Sequence, residues 1–280
     1  MKTLKKIISL LLITLVMGTS ANATPLPEII GVNNYLEVTP TNEDYFKSQL
    51  KSTKIDKATG LSYDEIINLY NEYTLQSRNS ISSEISAKEN INNFAQYAVE
   101  RGIIPNTPQA VQGFTVAFLR AQFNIGADLG EAMGCPNAAN FLRHSLQDNP
   151  VNVSFASGTL ESNWIKNSVE FKNIVDAFHT YVKGKNLSAR TTSGSTTLNS
   201  TSDLHLALNK VSYVASGTKS NGVWNLTITF KDVYNFEKAA WGEMGGELAT
   251  IVNNYAVIAQ EQGAIVPYDI SIAVKGSFVE

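Results

Sequence analysis

The sequence of 280 residues has one cysteine and three histidines, and these scarcities exclude several kinds of site. The lone Cys135 cannot form an internal disulfide, so the fold must be stabilised by its hydrophobic core. We expect Cys135 to be a small buried hydrophobe rather than a nucleophile, because it lies between two apolar helical patterns. The histidines are scattered, and none is spaced for a helix-based zinc site. The sequence therefore predicts no metal and names no other cofactor.

The common catalytic signatures are absent too. The chain has no GxSxG, HExxH, CxxC, GxxxxGK[ST] or GxGxxG motif, so most common enzyme classes lose support. The formal net charge of −3 lacks the basic excess that binding to a phosphate backbone normally requires. We therefore expect no nucleic-acid partner.

The N-terminus has the pattern of a cleavable signal peptide. Three lysines precede an apolar run over residues 7–16, and Ala21 and Ala23 fit the small-x-small rule for cleavage. We expect residues 1–23 to be removed and the mature chain, with a net charge near −6, to be secreted or periplasmic. No later segment reaches the roughly 20 apolar residues of a spanning helix, so we expect a soluble protein without stable membrane insertion.

The rest of the chain divides by its composition and periodicity into three regions. Residues 24–60 are polar and contain several prolines, which predicts an irregular lead-in. Residues 61–185 carry helical periodicity, and residues 186–280 mix strand and helix patterns. The last two regions are either separate or one continuous domain. The predicted fold class is α+β, with a helical N-terminal half and a small antiparallel sheet with packed helices in the C-terminal half.

The helical region contains several recognisable helices. Ser62 followed by Glu65 is a capping signal for a first helix that runs to about residue 77. Residues 110–123 are apolar on most faces, and a buried central helix explains this more simply than a membrane-inserting surface. A helix beginning at Pro136 is followed by a loop, and a single long helix is predicted over residues 162–182.

The C-terminal region has strand periodicity. The polar stretch 188–202 is either a flexible linker or a loop with an edge strand, and its threonines favour the strand. Strict alternation over residues 224–230, preceded by a strand over 210–216, predicts an antiparallel hairpin. A helix is expected over residues 238–262 and a last strand from about 268.

Two groups of side chains are candidates for chemistry. Asp232 and Tyr234 lie where the alternating strand ends, and period two places them on the same side. They are either a site at the sheet end, or an exposed strand terminus and a core aromatic. His205 either pairs with Asp203 as an acid and base, or is exposed on a short helix that Ser202 or Asp203 caps, which we favour. The other histidines are expected at the surface or its boundary.

Several segments resemble a loosely defined set of uncharacterised secreted bacterial proteins, over roughly the last half of the chain. They are residues 142–150 (LRHSLQDNP), 203–208 (DLHLAL), 222–228 (GVWNLTI), 232–236 (DVYNF) and 253–256 (NNYA). The fourth is also similar to the Asp-x-Tyr-Asp motif of colicin-M-type bacteriocins, and that resemblance implies a phosphodiesterase that cleaves the lipid-linked peptidoglycan precursor. Asp232 and Tyr234 match the motif, whereas Asn235 replaces its second aspartate, and Trp241 and Gly242 replace a His-Arg pair.

Two functions remain open. The first is a non-catalytic binding or envelope-associated role with an unidentified protein or envelope component as partner, which the missing motifs favour. The alternative is a secreted toxin-like hydrolase of the phosphodiesterase type, with Asp232, Tyr234 and His205 as catalytic candidates at the end of the C-terminal sheet.

Overall fold

The computed structural model describes residues 35–51, 55–56, 58–77, 87–238 and 247–280. Its helices are α1 (Glu43–Lys51), α2 (Tyr63–Ser77), α3 (Ala87–Glu100), α4 (Pro108–Ala132), α5 (Pro136–Ser145), α6 (Leu160–Lys166), α7 (Val169–Val182), α8 (Ser202–Ala207) and α9 (Glu247–Glu261). Its strands are β1 (Tyr35–Val38), β2 (Asn152–Phe155), β3 (Ala189–Thr197), β4 (Lys210–Ser220), β5 (Val223–Tyr234) and β6 (Tyr268–Val279). The predicted α+β class is confirmed.

The strands form one six-stranded sheet in the order β1-β2-β6-β5-β4-β3. Strands β3, β4, β5 and β6 pair with one another antiparallel, as predicted, but β2 pairs with β6 in parallel and β1 pairs with β2 in parallel. The sheet is therefore mixed rather than purely antiparallel. The two parallel strands have four residues each, which is too short for a periodic pattern to reveal them.

The predicted lead-in is more ordered than its composition indicated. Within residues 35–51 the chain forms β1 and then α1, whose Phe46 and Leu50 are buried. Strand β1 forms by pairing with β2, which lies more than a hundred residues away in sequence. The local sequence therefore gives no signal that predicts this strand. As a result, parts of the lead-in, the helical region and the C-terminal region all contribute strands to one sheet.

The strongly periodic helices match their predictions. Helix α2 begins with the expected capping box, in which the Ser62 N–H donates to Glu65 Oε2 at 2.8 Å and the Glu65 N–H donates to Ser62 Oγ at 3.2 Å. Helix α4 is the buried central helix, with Phe114, Phe118 and Phe123 in the core. None of the helices in the described ranges is long and apolar enough to cross a membrane.

The single helix predicted over residues 162–182 is two helices, so that prediction is wrong. Helix α6 ends at Lys166 and α7 begins at Val169. Ser168 causes the break, because its hydroxyl accepts a hydrogen bond from the Phe171 N–H at 3.1 Å and so caps α7. The apolar periodicity continues across both helices, so the sequence pattern predicted one helix in spite of the capping serine.

The C-terminal strands follow the predicted alternation. The polar stretch after α7 contains the edge strand β3. Strand β4 extends to Ser220, beyond its predicted end, because Asn221 and Gly222 turn the chain in two residues with φ of 51° and 78°. Residues 239–246 of the helix predicted over 238–262 lie outside the described residues, and α9 covers most of the remainder.

One face of the antiparallel strands is covered by α7. Trp224 on β5 is fully buried, and its ring lies 5.6 Å from that of Phe178 on α7. Gly217 permits this close approach, since a Cβ there would lie 2.9 Å from Phe178 Cζ. The alternate side chains of the same strands point the other way, and those of Thr191, Ser216 and Thr227 are exposed.

A buried charged cluster fastens α1 to α6. Lys47 Nζ lies 2.9 Å from Glu43 Oε1 and 3.2 Å from Glu161 Oε1. The Glu43 carboxylate also accepts the backbone N–H of Leu160 at the start of α6. Glu161 is only 1% exposed, and burial raises its pKa to about 7 despite the opposing effect of Lys47. Two carboxyl groups share one lysine here, so protonating Glu161 neutralises the cluster.

We expect Glu161→Gln to remove a pH dependence of stability. The folded-state pKa of Glu161 is raised above its unfolded value, so its stabilising contribution is present below about pH 4.5 and is lost as the pH rises through about 7. Between about pH 5 and 8 the wild-type free energy of unfolding should fall by on the order of 2 kcal/mol relative to the variant. Urea unfolding at both pH values measures this. Glu100→Gln, at an exposed position on α3, is the control, and equal pH slopes for the wild type and Glu161→Gln would contradict the prediction.

Candidate functional site

Asp232 and Tyr234 lie at the end of β5, on the face that packs into the core. The strand register places them opposite Ile270 and Tyr268 of β6. Tyr234 is 5% exposed, and its ring packs 5.5 Å from that of Tyr268 and 5.6 Å from that of Phe236. The prediction that both residues share one side of the strand is confirmed, and Tyr234 is an aromatic residue of the core.

Asp232 keeps partial contact with solvent although it lies deep beside this aromatic cluster. Burial raises the pKa of the Asp232 carboxyl well above its ordinary value, and the Val233 N–H that donates to Oδ1 at 2.9 Å opposes this only in part. Burial also raises the pKa of Tyr234, with Asp232 as a second cause. The shift favours the protonated form of Asp232, which is the form that a general acid requires.

His144 and Tyr268 complete this cluster, and the sequence analysis placed His144 wrongly near the surface. His144 is 2% exposed, and its ring lies 4.5 Å from that of Tyr268. Its Nε2 is 2.8 Å from the Val151 carbonyl, and its Nδ1 is 3.4 Å from Gln147 Nε2, so both ring nitrogens have structural partners. His144 follows the buried Phe141 by three residues on α5, and this spacing was the signal of its burial.

Asp203 has a different role from either predicted one. Its Oδ1 accepts the Ala138 N–H at 2.9 Å, and its Oδ2 accepts Asn137 Nδ2 at the same distance. Both donors lie in the first turn of α5, whose own N-cap residue, Cys135, makes no side-chain hydrogen bond there. Asp203, although it belongs to α8, therefore serves as the missing cap of α5.

The cap of α8 itself is Thr201, one residue before the two predicted candidates. Its Oγ1 accepts the Leu204 N–H at 3.1 Å, and α8 begins at Ser202. A threonine with extended backbone suits this position as well as serine or aspartate, so composition alone did not separate them.

His205 lies on α8, half-buried, and burial lowers the pKa of its ring. The elements that surround Asp232 and Tyr234 are α5, β5 and β6, and α8 adjoins them by packing on α5. Because α5 occupies both carboxylate oxygens of Asp203, the structure favours the capping role over an acid–base pair with His205. A catalytic role for His205 beside Asp232 stays a prediction.

The open face of the sheet is a second candidate site. Its exposed residues line a hollow of about 530 Å³, and they include Thr191, Ser216, Thr218, Asn225, Thr227 and Lys275. The hydroxyls of Thr191 and Ser216 lie 3.1 Å apart across β3 and β4. The alternation of β5 produces this lining, because every residue between two buried apolar ones faces outward. The hollow therefore presents hydroxyl and amide groups on a paired sheet, with the cations Arg190 and Lys275 also in its lining.

Known proteins give no guide to the function. Comparison with protein families, with curated proteins and with solved structures finds no match for the chain. Among the residues that the structure describes, no group of three His, Cys, Asp or Glu side chains is arranged to hold a metal ion. The function must therefore be argued from the two sites above.

We expect Asp203→Ala to destabilise the fold by about 1–2 kcal/mol, because α5 loses its cap and two donors lose their partner. Asp203→Asn keeps one acceptor oxygen and should cost less. His205→Ala, on the same helix α8, is the control variant. Its free energy of unfolding, measured by chemical denaturation, should fall less than that of Asp203→Ala. Equal losses for Asp203→Ala and His205→Ala would contradict the capping role of Asp203.

Proposed function

We propose that the chain is a non-catalytic binding protein that recognises a hydroxyl-rich ligand, of the polysaccharide type, through the open face of its sheet. The observation that supports this most is the hollow of about 530 Å³, which is lined by exposed hydroxyl and amide side chains. Such groups both donate and accept hydrogen bonds, so they complement the hydroxyls of a sugar chain.

The rigidity of the surface supports the same proposal. Strand β5 is hydrogen-bonded to β4 on one side and to β6 on the other, and its inward side chains are packed in the core. The backbone that carries Asn225 and Thr227 is therefore held in place before a ligand arrives. A surface that is already ordered loses little conformational entropy on binding, which favours affinity.

We also propose that the protein acts outside the cytoplasm, in the periplasm or the medium. The supporting observation is the predicted signal peptide over residues 1–23. An exported protein meets the polysaccharides of the cell envelope, so location and surface chemistry are consistent with each other.

Removing hydroxyl and amide groups from the hollow should weaken polysaccharide binding. We expect Thr227→Val and Asn225→Ala each to reduce affinity roughly tenfold, the effect of losing one or two good hydrogen bonds. Affinity electrophoresis in dextran and in polygalacturonate measures this. Thr180→Val, an exposed position on α7 outside the hollow, is the matched control. If neither polysaccharide slows the migration of the wild-type protein, or if the two hollow variants bind like the control, the proposed function is wrong.

A second candidate function is hydrolysis at the end of β5, with Asp232 as a general acid. Its support is the partly exposed carboxyl of Asp232, whose pKa burial raises well above the ordinary value, and which lies next to Tyr234 on the same face of β5. The resemblance to colicin-M-type bacteriocins implies a phosphodiester substrate. The match is incomplete at Asn235, and the positions of the His-Arg pair, Trp241 and Gly242, lie outside the described residues.

If this hydrolase function is correct, Asp232→Asn should abolish cleavage of the lipid-linked peptidoglycan precursor. Activity of the wild type should fall as the pH rises through the raised pKa of Asp232, because the protonated form donates the proton. Asp269→Asn, on the neighbouring β6, is the control and should keep activity. Absence of cleavage by the wild type, or full activity of Asp232→Asn, excludes this candidate.

A further inference from the structure

A second hollow, of about 560 Å³, adjoins the first along β6. Strand β2 pairs with β6 only from Ile270 to Ile272, so no described strand lies beside the outer edge of the second half of β6. Helices lie there instead: Ser162 Oγ of α6 donates to the Ala273 carbonyl at 2.8 Å, and Gly276 lies against Phe171 of α7. The two hollows share Asn225, Lys275 and Gly276 in their linings, and therefore meet at this point of the sheet. A ligand on the open face can continue from one hollow into the other.

The second hollow carries positive charge. Lys166, Lys172 and Lys275 line it and are exposed, and Asp176 is the one carboxylate among its lining residues. The chain as a whole has a formal net charge of −3, so the local charge of this hollow has the opposite sign to the charge of the whole protein. The surface beside the hydroxyl-lined hollow therefore attracts anions.

We propose that the ligand of the open face is an anionic polysaccharide, whose hydroxyls bind the Thr, Ser and Asn side chains and whose acidic groups bind Lys166, Lys172 and Lys275. This inference rests on the proposed binding function and adds the charge of the ligand. The first hollow offers the hydroxyl and amide groups together with Arg190 and Lys275, and the second offers Lys166, Lys172 and Lys275, so Lys275 takes part in both.

The exposure of the lysines favours a polymer over a small anion. Each is a flexible side chain in water, and a single ion pair of that kind contributes little to affinity. Several weak contacts become effective when one chain carries all the acidic groups, because later contacts form at high effective concentration.

Single-stranded nucleic acid, another polyanion, fits this surface less well. Such ligands bind mainly by stacking their bases on exposed aromatic side chains. The linings of the two hollows contain one aromatic residue, Phe171 of the second hollow, which is 5% exposed and packs against Gly276. The hollows thus combine hydroxyls and cations without a stacking platform.

Binding to three polymers separates the parts of this proposal. The probes are polygalacturonate, which has hydroxyls and charge, dextran, which has hydroxyls alone, and inorganic polyphosphate, which has charge alone. We expect the full chain to bind polygalacturonate at least tenfold more tightly than either of the others. Lys172→Gln and Lys275→Gln should each weaken that binding several-fold, and added salt should weaken it further. Lys88→Gln, an exposed lysine on α3, should have no effect.

The other outcomes have distinct meanings. If dextran binds as well as polygalacturonate and the two lysine variants bind normally, the ligand is neutral, and the proposed binding function survives without this inference. If polyphosphate binds as tightly as polygalacturonate, recognition is by charge alone and the inference is overturned. If none of the three polymers binds, both the inference and the proposed function fail.

Discussion

The position of β5 in the middle of the antiparallel strands is the constraint on which the rest of the molecule depends. It pairs with β4 and β6 along almost its whole length, so each residue is fixed to face one side of the sheet. Trp224, Leu226 and Ile228 face α7 and are buried, and Asn225 and Thr227 face solvent. A shift of one residue would exchange these two sets and expose the tryptophan, which makes the register highly specific. The core and the open face are therefore two consequences of one alternation.

The other side of the sheet is held by different forces. The strands β1 and β2 are short, and the segment that carries β1 is fixed by α1, through the packing of Phe46 against Phe155 and through the Glu43–Lys47–Glu161 cluster. Burying two carboxyl groups with one lysine is costly unless one of them is protonated. The attachment of the first described segment therefore depends on the ionisation of this cluster, whereas the centre of the sheet depends mainly on apolar packing.

The sequence predicted the elements whose pattern is long and regular, and it did not predict those that depend on distant partners. The capping box of α2 and the alternation of β5 are local and were found. Strand β1 is defined by β2, and the cap of α5 comes from Asp203, which belongs to a helix more than sixty residues further along the chain. Asp232 was proposed from its place at a strand end, but its raised pKa depends on burial under other elements, which no linear pattern reveals.

The two candidate functions use opposite faces of the same strand. Asn225 and Thr227 point to the open hollow, and Asp232 and Tyr234 point to the core seven residues further along. Because the sheet lies between them, we expect a substitution in the hollow to leave the surroundings of Asp232 unchanged, and a substitution of Asp232 to leave the hollow unchanged. The binding proposal and the hydrolysis proposal can therefore be tested independently of each other.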